Sequence, residues 1–405
     1  MNEHESVPNI RFNGFDDDWK EKKFNTLVNR KSHITSNTSL NSIEYENISP
    51  DNHGICKNFN NKKGIYFQKG DILFGKLRPY LKKYVLTSYE GKAVGDFWVL
   101  SPKKGVYSKF AFYLIQTHKF YLVSNLSSGT KMPRSDWNLV NNSFFCVCNI
   151  EEQQKIGDLF TKLDKLLDLQ KQKIEKLELL KKALLQKLFP KHDTKIPELR
   201  FKGYEGDWVD RKFVNCLAKI IDFRGKTPKK LGLSWSRNGN YRALSALNVK
   251  NGFIDKNIDV HFGNYDLYKK WMGKTELKKG DILFTTEAPM GNVAIIKDNE
   301  KYILSQRTIA FRVNEKNINS LFLLYRLNTV SVKNKLMSLS TGGTAQGISQ
   351  KNLSYLFISI SNSLDEQKRI GNILAKVDHL IYLENKKLEN LQQFKKCFLQ
   401  NMFVE

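Results

Sequence analysis

Residues 151–189, EEQQKIGDLFTKLDKLLDLQKQKIEKLELLKKALLQKLF, decide the fold of this 405-residue chain. The stretch has no proline and one glycine, Gly157, and is filled by Leu, Lys, Gln and Glu, which keep most of their rotamer freedom in a helix. One long helix is expected. Steps of three and four residues pick out Ile156, Phe160, Leu163, Leu167, Gln170, Ile174, Leu177, Lys181, Leu184 and Leu188, a coiled-coil seam with two polar interruptions.

The seam recurs. Shifted by 214 residues without a gap, residues 365–403 match it at sixteen of thirty-nine positions, and the second seam reads Ile370, Leu374, Val377, Ile381, Glu384, Leu388, Leu391, Lys395, Phe398 and Met402. The interruptions coincide, Gln170 with Glu384 and Lys181 with Lys395. Polar seam residues cost stability but penalise wrong registers, so these four read as register setters. A second apolar line also repeats: Leu159, Leu166, Leu169, Leu180 and Leu185 correspond to Ile373, Leu380, Leu383, Phe394 and Leu399. A two-helix coil needs one stripe, so this one faces either the chain's own globular parts or another protein.

Working outward, the flanking regions form a looser repeat. VPNIRFNGFDDDWKEKKF at 7–24 resembles IPELRFKGYEGDWVDRKF at 196–213, GDILF at 70–74 returns at 280–284, and LSSGT at 126–130 resembles LSTGGT at 339–344. The chain is a duplication of domain and helix, with expected boundaries at 1–150, 151–190, 191–364 and 365–405 and a linker, PKHDTKIP, at 190–197. Between the anchors, 26–68 and 215–278 show no alignment. Short strands are expected at 71–74, 83–86, 97–100, 144–148, 281–284, 293–296, 308–313 and 356–360, and single helices at 109–124 and 319–337. The fold class is mixed α+β.

The net charge is +25, and its placement is informative. Residues 1–150 carry 21 basic against 13 acidic side chains and 191–364 carry 29 against 15, while the helices are nearly balanced at 9 against 7 and 7 against 6. Basic globular domains joined to neutral struts suit a polyanion, most simply nucleic acid. None of the five cysteines forms a CxxC motif, and Cys146 and Cys148 alternate on one strand as small hydrophobes. With no signal-like N-terminus and no apolar run of about 18 residues, the expected location is the cytoplasm, away from membranes.

Catalytic motifs are scarce. Gly225-Lys226-Thr227 and Gly273-Lys274-Thr275 lack the earlier glycine of a phosphate loop, whose place is taken by Ile220 and Tyr268. No two prolines are adjacent, which excludes the Asn/Asp-Pro-Pro-aromatic motif of amino-methyltransferases, and the seven histidines show no metal spacing. Pro50-Asp51 with Glu90 and Lys92 meets a nuclease pattern formally. What remains is cationic and aromatic. Lys76, Arg78, Tyr80, Lys82 and Lys83 follow the first GDILF, and Lys131 and Arg134 follow the Gly129 turn. Arg224, Lys226, Lys229, Lys230, Arg237 and Arg242 precede the second GDILF, and Arg307 lies in SQRTIAF. Arginine chelates a guanine edge whereas lysine more often touches phosphate, so Arg78, Arg134, Arg224, Arg242 and Arg307 are the candidate base contacts.

The doubled order of RFxGFxxxW, KGDILF, SSGT/TGGT and EEQQKIGDLFTKLDKLL resembles the specificity subunit of type I DNA restriction-modification enzymes over essentially the whole chain. The resemblance implies a non-catalytic reader of double-stranded DNA with two target recognition domains in tandem, each followed by a long helix. The helices would pack as an antiparallel coiled coil, and the domains would read two halves of an asymmetric site. It implies docking of two methyltransferase (modification) subunits and, through them, restriction (nuclease-translocase) subunits. S-adenosylmethionine, ATP and Mg²⁺ would belong to those partners, and this chain would hold no cofactor or metal. A helix of ~39 residues is ~58 Å long at ~1.5 Å per residue, or ~17 base pairs at ~3.4 Å each, so the helices would set the gap between half-sites. A stand-alone nuclease using Asp51, Glu90 and Lys92, or a coiled-coil scaffold, are the competing readings.

Overall fold

A computed structural model describes residues 7–48, 60–126, 131–191, 194–342 and 346–404. The chain forms two compact units, one of Met1–Lys173 with Glu384–Glu405, the other of Ile174–Leu383. The two long helices run Ile150–Lys187 and Leu364–Asn401, and each contributes one half to each unit.

Every apolar seam position named above is buried or half-buried. In the first unit the helices run antiparallel: Asp164 pairs with Lys395 at 2.5 Å, while the Gln170 amide and the Lys173 ammonium meet Glu384 at 2.6 and 2.5 Å. In the second, Lys181 pairs with Asp378 at 2.6 Å. All four polar interruptions therefore have a partner on the opposite helix. The Tyr113 hydroxyl donates to Asp164 and the Tyr325 hydroxyl to Asp378, both at 2.8 Å, tying each domain to its seam. Burial, then the neighbouring carboxylate, pushes both phenols above their ordinary range, so they remain donors.

The second apolar line divides. Leu159 and Leu399 pack on the core of the first unit and Leu185 and Ile373 on that of the second. Its middle members, Leu166, Leu169 and Leu180 on one helix and Leu380, Leu383 and Phe394 on the other, are exposed.

Each unit is built around its GDILF strand, which is apolar without alternation because both its faces are covered. Ile72 and Phe74 enter one core cluster and Leu73 the other; Ile282 and Phe284 divide from Leu283 in the same way. The main sheet of the first unit orders Val28–Lys31, Phe97–Pro102, Ile72–Gly75 and Tyr84–Leu86, and that of the second orders Leu217–Asp222, Thr308–Val313, Ile282–Thr285 and Val293–Ile295, all antiparallel. A smaller sheet in each has one parallel pair, Asn41–Glu44 with Gly91–Val94 and Tyr241–Leu244 with Tyr302–Leu304. The regions without sequence alignment thus share a frame, to which, among the described residues, the second unit adds a hairpin, Val249–Lys250 with Phe253–Ile254, and a helix, Tyr265–Met272.

The single helices expected at 109–124 and 319–337 are each broken in two, Ser108–Leu114 with His118–Asn125 and Ser320–Asn328 with Val330–Ser338. A buried threonine sits at each break. The Thr117 hydroxyl donates to Leu114 O and the Thr329 hydroxyl to Arg326 O, so each side chain caps the preceding helix end.

The framework motifs meet where each long helix begins. Arg11 grips Glu152 through two bonds of 2.8 and 2.9 Å, and Arg200 grips Glu366 at 2.8 and 3.1 Å. The next residue holds the domain: Gln153 accepts from Tyr107 N and donates to Cys148 O, as Gln367 accepts from Asn319 N and donates to Ser361 O. At the far end of each helix an aromatic locks onto a tryptophan. Phe403 packs on Trp19, Phe110 and Phe160 in the first unit, and Phe189 on Trp208 and Phe322 in the second.

Two turns into each long helix a glycine permits a close crossing. A Cβ at Gly157 would stand 2.8 Å from Lys109 Cβ and 2.9 Å from Phe110 N; at Gly371 it would stand 2.8 Å from Leu321 Cβ and 2.9 Å from Phe322 N. Gly157→Ala and Gly371→Ala, which on an open helix would stabilise by ~1 kcal/mol, should instead destabilise by ~1–3 kcal/mol through overpacking. Urea unfolding checks this, and a gain in stability for either variant would show that the crossing can relax.

Candidate nucleic-acid interface

Beyond the GDILF strand the two units build the same corner from different side chains. In the first, Lys76 N donates to Asp96 O at 2.9 Å, Arg78 N to Pro133 O at 2.7 Å and Ser135 N to Lys76 O at 2.9 Å, and Leu77 bridges Arg134. In the second, Thr286 N donates to Arg307 O at 2.9 Å and Ile348 N to Thr286 O at 3.0 Å, and Glu287 bridges Gly347. The backbone places Asp96 where the second unit has Arg307, Leu77 where it has Glu287, and Arg134 where it has Gly347.

A further pair of positions marks the corner. Arg78 and Ala288 both hold left-handed backbone, with φ of 48° and 44°, and both precede a proline, Pro79 and Pro289. Non-glycine residues in this region carry strain of order ~1–3 kcal/mol, which clusters at ligand-contacting sites. Sequence reading named Arg78 but missed Ala288 and the acids Asp96 and Glu287. The available signal was a proline at the same distance after each GDILF.

In the first corner the Arg134 guanidinium donates from Nε and Nη2 to Asp96 at 3.3 and 3.1 Å, and Lys76 reaches the same carboxylate at 3.7 Å. The hydrogen bond to Asp96, then its charge, raises the Arg134 pKa above its ordinary value. Arg78 and Tyr80 are exposed beside them, and Arg78 has no side-chain bond among the described residues. Lys131 is exposed on the same returning segment. The corner thus gathers Lys76, Arg78, Tyr80, Lys131 and Arg134. Lys82 instead lies over the Tyr121 ring, and Lys83 turns inward to Tyr45 O at 2.9 Å, bracing the corner through the Tyr45 hydroxyl on Leu77 O.

In the second corner Arg307 extends into solvent with Nε 3.4 Å from Glu287. Arg224 is nearby but committed. It donates to Asp222 from Nε and Nη2 and to Ile348 O from Nη1, and although burial pushes the Asp222 carboxyl up, the bonds from Arg224 and Gln350 hold it below the ordinary range. Lys226 reaches inward to Trp271 O at 2.6 Å and Lys230 to Gly225 O at 3.0 Å, leaving Lys229 exposed between them. Arg237 and Arg242 form a separate group at the smaller sheet, where Arg242 donates to Lys256 O at 2.8 Å and lies over the Phe262 ring.

Chemistry other than binding finds little support. Lys92 is fully buried and donates to Asn60 O at 2.8 Å, Glu90 accepts from the Tyr66 hydroxyl, and Asp51 lies outside the described residues. Among the described residues no group of His, Cys, Asp or Glu could hold a metal ion, and no helix is long and apolar enough to cross a membrane. The Gly129 turn and the second half of TGGT, within residues 127–130 and 343–345, also lie outside the described residues.

Comparison with known proteins agrees with this duplicated architecture. The profile of the type I restriction modification DNA specificity domain matches residues 16–179 and again 207–393. The chain is 26% identical over 332 residues to the type I restriction enzyme MjaVIII specificity subunit of Methanocaldococcus jannaschii, covering 81% of this chain and 74% of that one. It is 25% identical over 341 residues to the putative MjaX specificity subunit of the same organism, covering 81% and 76%. The crystal structure of the type I restriction-modification S subunit from M. genitalium superposes with a TM-score of 0.64 over 98% of this chain and 99% of that one at 14% identity, a likeness of fold.

Proposed function

The chain belongs to the type I restriction-modification DNA specificity family and recognises DNA with two domains, and we propose that each domain reads one half of a split, asymmetric target. The observation that carries this reading is the doubled corner: one backbone frame holds Asp96, Leu77, Arg78 and Arg134 in one unit and, at the same places, Arg307, Glu287, Ala288 and Gly347 in the other. Equal frames with unequal side chains suit two readers of unequal sequences. The excess of basic residues in both globular regions supplies the phosphate attraction.

The chain itself breaks no bond on this reading. Two methyltransferase subunits dock on the exposed middle of the second apolar line, one on each unit, which shows Leu166, Leu169 and Phe394 in the first unit and Leu180, Leu380 and Leu383 in the second. Two equivalent stripes supply two equivalent docking sites. Restriction subunits join through them, S-adenosylmethionine, ATP and Mg²⁺ reside in those partners, and the assembly works in the cytoplasm where the DNA is. The test is to co-express the chain with its modification subunit and map methylated adenines across the genome. A two-part motif methylated only when both are present supports the proposal; methylation without sequence preference, or metal-dependent cleavage by this chain alone, overturns it.

On the same reading the paired helices set the gap. Lengthening both by seven residues, one seam repeat, adds ~10 Å at ~1.5 Å per residue, or about three base pairs at ~3.4 Å each. The methylated motif should keep both halves and widen its gap by about three pairs; altered halves with a constant gap would refute the ruler.

A further inference from the structure

The five candidate base-reading arginines differ in how much of the guanidinium is left to use. Guanine offers O6 and N7 to a pair of parallel N–H donors. Arg224 is the most committed, because Asp222 takes its Nε and Nη2 edge and Ile348 O takes a proton of Nη1, which leaves one proton on each Nη of a half-buried side chain. Arg242 is held by Lys256 O and the Phe262 ring. Arg78 is free but unsupported, which suits a phosphate better than a base edge.

Arg134 and Arg307 are both exposed and supported. The Asp96 carboxylate meets Arg134 side-on, at Nε and Nη2, leaving the end-on edge formed by Nη1 and the second Nη2 proton without a hydrogen bond among the described residues. Glu287 forms an ion pair with Arg307, closest at Nε and 3.4 Å away, and neither Nη group has a hydrogen bond among the described residues. Their side chains are 51% and 58% exposed, so as ion pairs alone they would contribute little to stability. Yet a carboxylate-supported arginine is built twice on one frame from different positions. In the first unit the acid sits before the central strand and the arginine on the returning segment. In the second the arginine sits before the strand and the acid on the turn after GDILF. Each pair adjoins a residue of positive φ, Arg78 or Ala288, and Arg307 itself has a φ of 61°.

We infer that Arg134 and Arg307 each read one guanine, one in each half of the target, with Asp96 and Glu287 as positioning residues that fix the guanidinium plane. The inference rests on the DNA-reading function proposed above and assigns its first specificity-determining side chains.

The test uses the complex of this chain with its modification subunits and the motif mapped for the unaltered protein. Binding is measured to a duplex carrying that motif and to a set in which each specified pair is changed in turn. Arg307→Lys and Arg134→Lys keep the charge and lose the planar fork. The unaltered complex should discriminate by about 5- to 150-fold at a G·C pair in each half. Arg307→Lys should lose that discrimination at one G·C pair of one half and keep it elsewhere, with the salt dependence unchanged; Arg134→Lys should do the same in the other half. Asp96→Asn and Glu287→Gln should weaken selection at the same pairs as their arginines. Discrimination unchanged at every pair, or binding weakened evenly at all pairs with a shallower salt dependence as for a phosphate contact, would overturn the assignment. An unaltered complex with no sequence preference would instead refute the DNA-reading function itself.

Discussion

Replacing residues 191–364 by the corresponding segment of a relative will rewrite one half of the methylated sequence and leave the other half and the gap as they were. The segment lies wholly within the second unit and carries all of its sheets. The joints fall at a proline-bounded linker and at Leu364, the first residue of the second long helix. The donor must conserve an aromatic to receive Phe189 as Trp208 and Phe322 do, an arginine to receive Glu366 as Arg200 does, and a tyrosine to meet Asp378 as Tyr325 does. The expected effect is large. Each mismatched pair costs ~1–3 kcal/mol in a specific complex, so a half-site of even three changed pairs would abolish recognition of the original sequence. Mapping of methylated adenines reads the outcome directly, and a change in both halves would show that the units do not read independently.

Arg11→Ala and Arg200→Ala should each destabilise their own unit by ~3–5 kcal/mol, because each leaves a buried carboxylate without its counter-ion. Glu152 and Glu366 are almost completely buried, and the arginines that cover them are 11% and 15% exposed. Each arginine also donates to backbone carbonyls of its turn, Arg11 to Asp17 O and Arg200 to Gly206 O, so the loss loosens the RFxG segment as well. Hydrogen exchange followed by mass spectrometry localises the effect: Arg11→Ala should expose peptides around Trp19 and the start of the first long helix while those around Trp208 stay protected, and Arg200→Ala the reverse. Loss of less than ~1 kcal/mol would mean that water replaces the arginine. Pairing Arg11→Met with Glu152→Met should recover much of the loss, since a well-packed apolar pair can equal a buried ionic one.

The parts of this fold legible in the sequence are those fixed by local periodicity. A seam of period 3.5 needs only spacing, and it located both long helices within two residues of their observed ends. GDILF was legible because a strand covered on both faces reads as an unbroken apolar run. The helix breaks at Thr117 and Thr329 were hidden, since a threonine hydroxyl bonding a carbonyl three residues back looks like any polar residue in an amphipathic pattern. The corner was only half legible. Its cations were visible, but whether an arginine faces solvent or an internal acid is settled by chain segments far apart, as when Arg134 meets Asp96 or Arg224 meets Ile348. The shared frame of the divergent segments lay in backbone pairing, which leaves no trace once side chains have changed.

The seating of Phe403 on Trp19, Phe110 and Phe160 has a bearing on biosynthesis. The first unit takes in the last part of the chain, whereas the second is continuous from Ile174 to Leu383. On the ribosome the later-made body therefore closes first. The earlier one waits with an open aromatic socket for some 230 further residues, about 10–50 s at typical elongation rates, so the newborn polypeptide offers chaperones a defined window and a defined place to bind.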